Sequence, residues 1–89
     1  VNWLIEHNKK GHIGEFGVPA EDESGLKALD QTLAYLQKHC IPFTYWAAGP
    51  SWGKNKLSVE PVKGVDRPQW AGLQKYLGGG NCTSIGPGT

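Results

Sequence analysis

Two short apolar runs, His12–Phe16 and Phe43–Ala47, flank one long amphipathic stretch, and that arrangement constrains the chain more than any other feature of it. Short apolar runs bounded by glycine or by a helix-ending Ile41-Pro42 step read as strands. Between them Leu26, Leu29, Leu33, Leu36 and Cys40 recur at steps of three and four, which places one apolar stripe on a helix from about Gly25 to His39. Strand, helix, strand is a single βαβ unit, with parallel strands and a right-handed crossover as the default. Two strands do not make a stable sheet, and a parallel sheet needs both faces covered. The fold class is therefore α/β, and the chain is incomplete by itself: other polypeptide must supply the remaining strands.

The flanks fit this outline. Val1 to about Lys9 reads as the tail of a helix, ended by Lys9-Lys10-Gly11. The trio Glu21-Asp22-Glu23 suits the positive end of the helix that follows it. A last helix is expected from about Arg67 to Leu77, with Pro68 in its first turn and Trp70, Leu73 and Leu77 on its apolar face. Gly78-Gly79-Gly80 stops it, and residues 78–89 read as a Gly/Ser/Thr/Pro-rich tail or the start of a linker. A chain of 89 residues makes at most one domain, and its 38% hydrophobic content with 13 glycines and 4 tryptophans points to shaped, aromatic-bearing loops over a thin core.

Composition also narrows function. A net charge of +1 gives no footprint for nucleic acid or an anionic membrane surface, and no apolar stretch approaches the roughly 18 residues of a membrane span. The start at Val1 reads as a cut or processed end. Cys40 and Cys82 fit no metal spacing; they form either a disulfide of a secreted protein or two separate thiols. Asn81-Cys82-Thr83 matches a glycosylation sequon, a motif that also occurs by chance.

Glu15 stands out because strands of this kind rarely spend a position on a carboxylate. Alternation puts Ile13 and Glu15 on one face, with His12, Gly14 and Phe16 on the other. The second run ends in Trp46. An acid and an indole at the ends of adjacent parallel strands are where α/β folds build sites. The plainer alternatives are a solvent-facing or ion-paired Glu15 and a core Trp46. Gly11, Gly14 and Gly17 lack the spacing of a phosphate loop, and no two of His7, His12 and His39 have metal-ligand spacing. No cofactor or metal is expected.

Four segments in order, Ile13-Gly14-Glu15-Phe16-Gly17-Val18-Pro19, Thr44-Tyr45-Trp46-Ala47-Ala48-Gly49-Pro50-Ser51-Trp52-Gly53, Leu57-Ser58-Val59-Glu60-Pro61 and Asp66-Arg67-Pro68-Gln69, resemble glycoside hydrolase family 5, in particular its cellulase branch. The resemblance covers residues 1–77. It implies the C-terminal β7-α7-β8-α8 portion of a (β/α)8 TIM barrel, a fold of roughly 250 residues. Its partners would be the remaining N-terminal part of the barrel and a polysaccharide substrate, a β-glucan, outside the cell. Carried onto this sequence, the resemblance makes Glu15 the catalytic nucleophile and Trp46 the floor under the sugar being cleaved, with Trp52 a candidate for a neighbouring subsite. Lys54, Lys56 and Glu60 share that loop and are candidate partners of sugar hydroxyls, against an ordinary structural or solvated role. The family's acid/base Glu follows an Asn, and no Asn-Glu dipeptide occurs here. The competing reading is a small non-catalytic carbohydrate-binding module that uses Trp46, Trp52 and Trp70 as stacking surfaces.

Overall fold

A computed structural model describes residues 1–53 and 55–87. The element order is α1 (Asn2–Glu6), β1 (Ile13–Phe16), α2 (Glu23–Lys38), β2 (Phe43–Tyr45), a 3-10 turn (Pro50–Trp52) and α3 (Pro68–Gln74). Helix, strand, helix, strand, helix is the expected order, with shorter end elements. Helix α1 stops before the lysine pair because Asn8 turns into the left-handed region at φ 53°. Helix α2 starts two residues earlier than its apolar stripe suggests. Asp22 is its N-cap, accepting a hydrogen bond from the Gly25 N–H at 3.0 Å, and Glu23 lies in the first turn.

Strands β1 and β2 run parallel, with Ile13 opposite Phe43 and Phe16 opposite Tyr45. The first strand fits one more residue than the second between those pairs, so the ladder is irregular there. Phe16 meets Phe43 and Tyr45 edge-on, at ring separations of 5.7 and 5.8 Å. These rings pack on the buried cluster Leu29, Leu33 and Leu73 between α2 and α3. The opposite face is bare: Ile13, Glu15 and Thr44 are all exposed.

Helices α2 and α3 are tied at the surface through Asp30, which accepts from Lys75 Nζ at 2.8 Å and from the Tyr76 hydroxyl at 2.9 Å. The Lys75 hydrogen bond, followed by the Tyr76 one, holds the Asp30 carboxyl below the usual carboxylate range. The radius of gyration is 14.3 Å, where a self-contained domain of this length has about 12 Å. A thin core, a bare sheet face and this extended shape agree with a partial α/β structure.

Cys40 and Cys82 form a disulfide, with a Cα–Cα distance of 5.5 Å. It fastens the stretch expected to begin a linker. Within that stretch Gly86 accepts from the Gly11 N–H at 2.9 Å and donates to the Cys40 carbonyl at 2.8 Å, and Gly86 and Pro87 are buried. The tail therefore crosses under the N-terminal ends of both strands as far as Pro87. A largely apolar cavity of about 430 Å³ lies at this same end, lined in part by Ile41, Pro42, Phe43, Leu77, Cys82 and Ile85.

Candidate functional site at the strand ends

The C-terminal ends of β1 and β2 are drawn together by a backbone hydrogen bond of 2.7 Å from the Trp46 N–H to the Phe16 carbonyl. That bond places Glu15 and Trp46 on neighbouring strands, at the ends where the chain turns out into loops. Glu15 is exposed, and Trp46 is half-buried. Among the described residues, Glu15 makes no hydrogen bond or ion pair through its side chain.

The glycines around Glu15 differ in purpose. A Cβ at Gly17 would run into the Trp46 carbonyl, so only glycine lets the end of β1 come this close to Trp46. Around Gly14 there is open space, so no packing contact there calls for glycine. His12 lies just outside β1, and strand alternation does not govern it. Its Nε2 meets the Thr44 hydroxyl at 3.3 Å across the two strands, rather than turning away with Phe16.

Trp46 has a second indole beside it. The Trp52 ring packs edge-on against Trp46, with centroids 4.5 Å apart. Trp52 is set by its own hydrogen bond, Nε1–H to the Ala48 carbonyl at 2.8 Å. Trp70, in contrast, packs against the leucine cluster between the helices. The three tryptophans thus do not form one stacking surface. Lys56 is exposed, Glu60 accepts a backbone hydrogen bond from Gly49, and Lys54 lies outside the described residues.

Two side chains that the sequence reading passed over hold the strand-end loops together. The Tyr45 hydroxyl has one proton to share between the carbonyls of Leu57, at 2.8 Å, and Val18, at 3.1 Å, and it accepts from the Val18 N–H at 3.2 Å. Gln69 is fully buried; its Nε2 donates to the carbonyls of Lys56 (3.1 Å) and Val18 (3.2 Å), with that of Ser58 at 3.5 Å. Both therefore join the loop after Glu15 to the loop after Trp46. Burial pushes the Tyr45 phenol up, only partly offset by its hydrogen bond with Val18, so it keeps its proton. In sequence, the signals were a tyrosine one residue before Trp46 and a Gln in a helix's first turn, neither unusual alone.

No group of three or more His, Cys, Asp or Glu side chains among the described residues is placed to hold a metal ion. The arrangement offers an exposed carboxylate on one strand end and a pair of packed indoles at the neighbouring one, on strands whose other face is packed.

No family model matches the chain. It is 34% identical over 83 residues to endo-beta-1,4-glucanase A of Emericella nidulans, covering 89% of this chain and 25% of that protein. It is 34% identical over 81 residues to endoglucanase 3 of Humicola insolens, covering 86% and 21% respectively. Among solved structures it superposes on Pseudomonas stutzeri endoglucanase Cel5A in complex with cellobiose with a TM-score of 0.92 and 46% identity, over 98% of this chain and 26% of that one. The chain spans about a quarter of the length of the curated relatives it matches.

Proposed function

Starting from a chain that is a segment of the cellulase branch of glycoside hydrolase family 5, we propose that residues 1–89 supply the nucleophile and the sugar platform of a retaining endo-β-1,4-glucanase. The observation that carries this reading is the pairing of Glu15 with Trp46. An exposed carboxylate with no structural partner among the described residues stands at a strand end, one backbone hydrogen bond from an aromatic surface.

In this reading the segment is β7-α7-β8-α8 of a (β/α)8 barrel. The bare face carrying Ile13, Glu15 and Thr44 is the barrel interior, completed by the remaining N-terminal part of the barrel. The Glu15 carboxylate attacks the anomeric carbon of a β-linked glucose unit. A carboxylic acid from the rest of the barrel, about 5–5.5 Å from it, protonates the leaving oxygen. The glycosyl–Glu15 ester is then cleaved by water, which that second residue deprotonates. The Trp46 indole covers the C–H face of the sugar, while Trp52 lines the adjacent subsite. The substrate is cellulose or a related β-glucan, and the Cys40–Cys82 disulfide suits a secreted protein.

The test is Glu15→Gln in the complete enzyme. Hydrolysis should be lost while binding of a cello-oligosaccharide survives, because the amide keeps the shape of the carboxylate but is a far weaker nucleophile. Undiminished turnover in that variant would sink the assignment.

A further inference from the structure

Glu60 has a role that its place in a loop does not suggest. Beyond Trp46 the chain runs beside residues 59–60: the Val59 N–H donates to the Ala47 carbonyl at 2.8 Å. Two residues on, the Gly49 N–H finds not a backbone carbonyl but the Glu60 carboxylate, at 2.9 Å from Oε2. The Glu60 backbone is anchored in turn. Its own N–H donates to Ser58 Oγ at 3.1 Å, and Ser58 is completely buried. Gly49 is the residue from which the 3-10 turn Pro50–Trp52 springs, at φ 126°, a conformation that favours glycine. Trp52 lies beside it and closes back on Trp46.

We propose that Glu60 is a positioning residue for the sugar platform: by holding the Gly49 N–H it fixes the turn that presents Trp52 against Trp46. A carboxylate accepting from a backbone N–H forms one of the stronger protein hydrogen bonds, and such bonds set geometry as well as energy. Without it the turn at residues 48–53 keeps, among the described residues, the Trp52 Nε1–Ala48 bond, a 3.4 Å contact from the Trp52 N–H to the Gly49 carbonyl and a 3.1 Å bond from the Asn55 N–H to the Trp52 carbonyl, none of which holds the Gly49 N–H. Glu60 then acts on oligosaccharide binding through Trp52 without contacting the reacting atoms. This deepens the glucanase reading and rests on it for the identity of the sugar.

The complete enzyme carrying Glu60→Ala, Glu60→Gln or Trp52→Ala tests it with two readouts. One is the near-ultraviolet circular dichroism of the coupled Trp46–Trp52 indoles; the other is KM for a long soluble cello-oligosaccharide against kcat on a short activated aryl glycoside. Glu60→Ala should remove most of the coupled-indole signal and raise KM on the order of tenfold, with kcat on the short substrate within about twofold. Glu60→Gln keeps an acceptor oxygen and should restore both. A coupled-indole signal unchanged in Glu60→Ala overturns the positioning role whatever the substrate, as does Glu60→Gln behaving like Glu60→Ala. If Trp52→Ala leaves KM for the oligosaccharide unchanged, the platform reading of Trp52 fails instead. The indole signal still decides whether Glu60 positions it.

Discussion

The two ends of the small sheet are held together in different ways. At the C-terminal end, where Glu15 and Trp46 sit, the loops are joined by side chains reaching backbone groups: Tyr45, Gln69 and Glu60 each bind main-chain atoms of a distant segment. At the N-terminal end the joint is covalent and main-chain, through the Cys40–Cys82 disulfide and the two hydrogen bonds of Gly86. The contrast is one of adjustability. Side-chain anchors can be varied one atom at a time and so set the positions of functional groups, while a disulfide mainly limits the unfolded chain. The apolar cavity of about 430 Å³ lies at the covalent end, and Glu15 does not line it.

The sharpest way to break this contrast is to exchange its outcomes. Glu15→Gln in the complete enzyme should lower kcat by on the order of 10⁴ or more with Tm hardly changed. The disulfide encloses a separation of 42 residues, so Cys40→Ser with Cys82→Ser should cost about 4 kcal/mol by the chain-entropy estimate. Denaturant melts check that figure, and KM should stay at the wild-type value. A disulfide-free enzyme with altered KM would show that the far end also shapes the site.

Smaller changes sharpen the picture. Tyr45→Phe deletes one hydroxyl and leaves the Leu57 carbonyl and the Val18 N–H short of a partner. It should cost about 1–3 kcal/mol, and KM should rise because the two loops drift apart. The raised phenol means that the wild-type contribution is whole below the ordinary tyrosine range and is lost as pH climbs through the folded value. Thermal melts of both proteins against pH would show the gap between them closing in alkali.

Asp30→Asn should have the smallest effect, a slight fall in Tm with no change in kinetics. Because the Asp30 carboxyl is held down, its contribution is present above the usual carboxylate range and disappears as pH falls through the folded value. The Lys75 amine, raised chiefly by its hydrogen bond to Asp30, loses its share as pH rises through its folded value. Melts of the variant and the wild type should therefore converge in acid and again in strong alkali.

Much of this was legible in the residues because it is local. The stripe of Leu26, Leu29, Leu33 and Leu36 marks α2, and the capping Asp22 stands in an acidic trio that already signals a helix start. Glu15 and Trp46 were conspicuous because neither type belongs at the end of an ordinary buried strand. What could not be read is what depends on distant partners. Gln69 contacts a carbonyl 51 residues away and Tyr45 one 27 away, and no spacing in the chain announces either. The cysteines were ambiguous for the same reason, since only the packing of α2 against the returning tail brings them together. His12 was misassigned by alternation because β1 begins one residue after it, at Ile13.

The fastening of Gly86 bears on how this polypeptide can be extended. Its two hydrogen bonds, to Gly11 and Cys40, pin it below the starts of β1 and β2. A four-residue strand measures about 13 Å, and Glu15 stands near its far end. Cargo attached beyond Pro87, such as an affinity tag or a fluorophore, therefore sets out from the side away from Glu15 and Trp46. Under the proposed glucanase reading, such an attachment leaves the surface at Trp46 uncrowded.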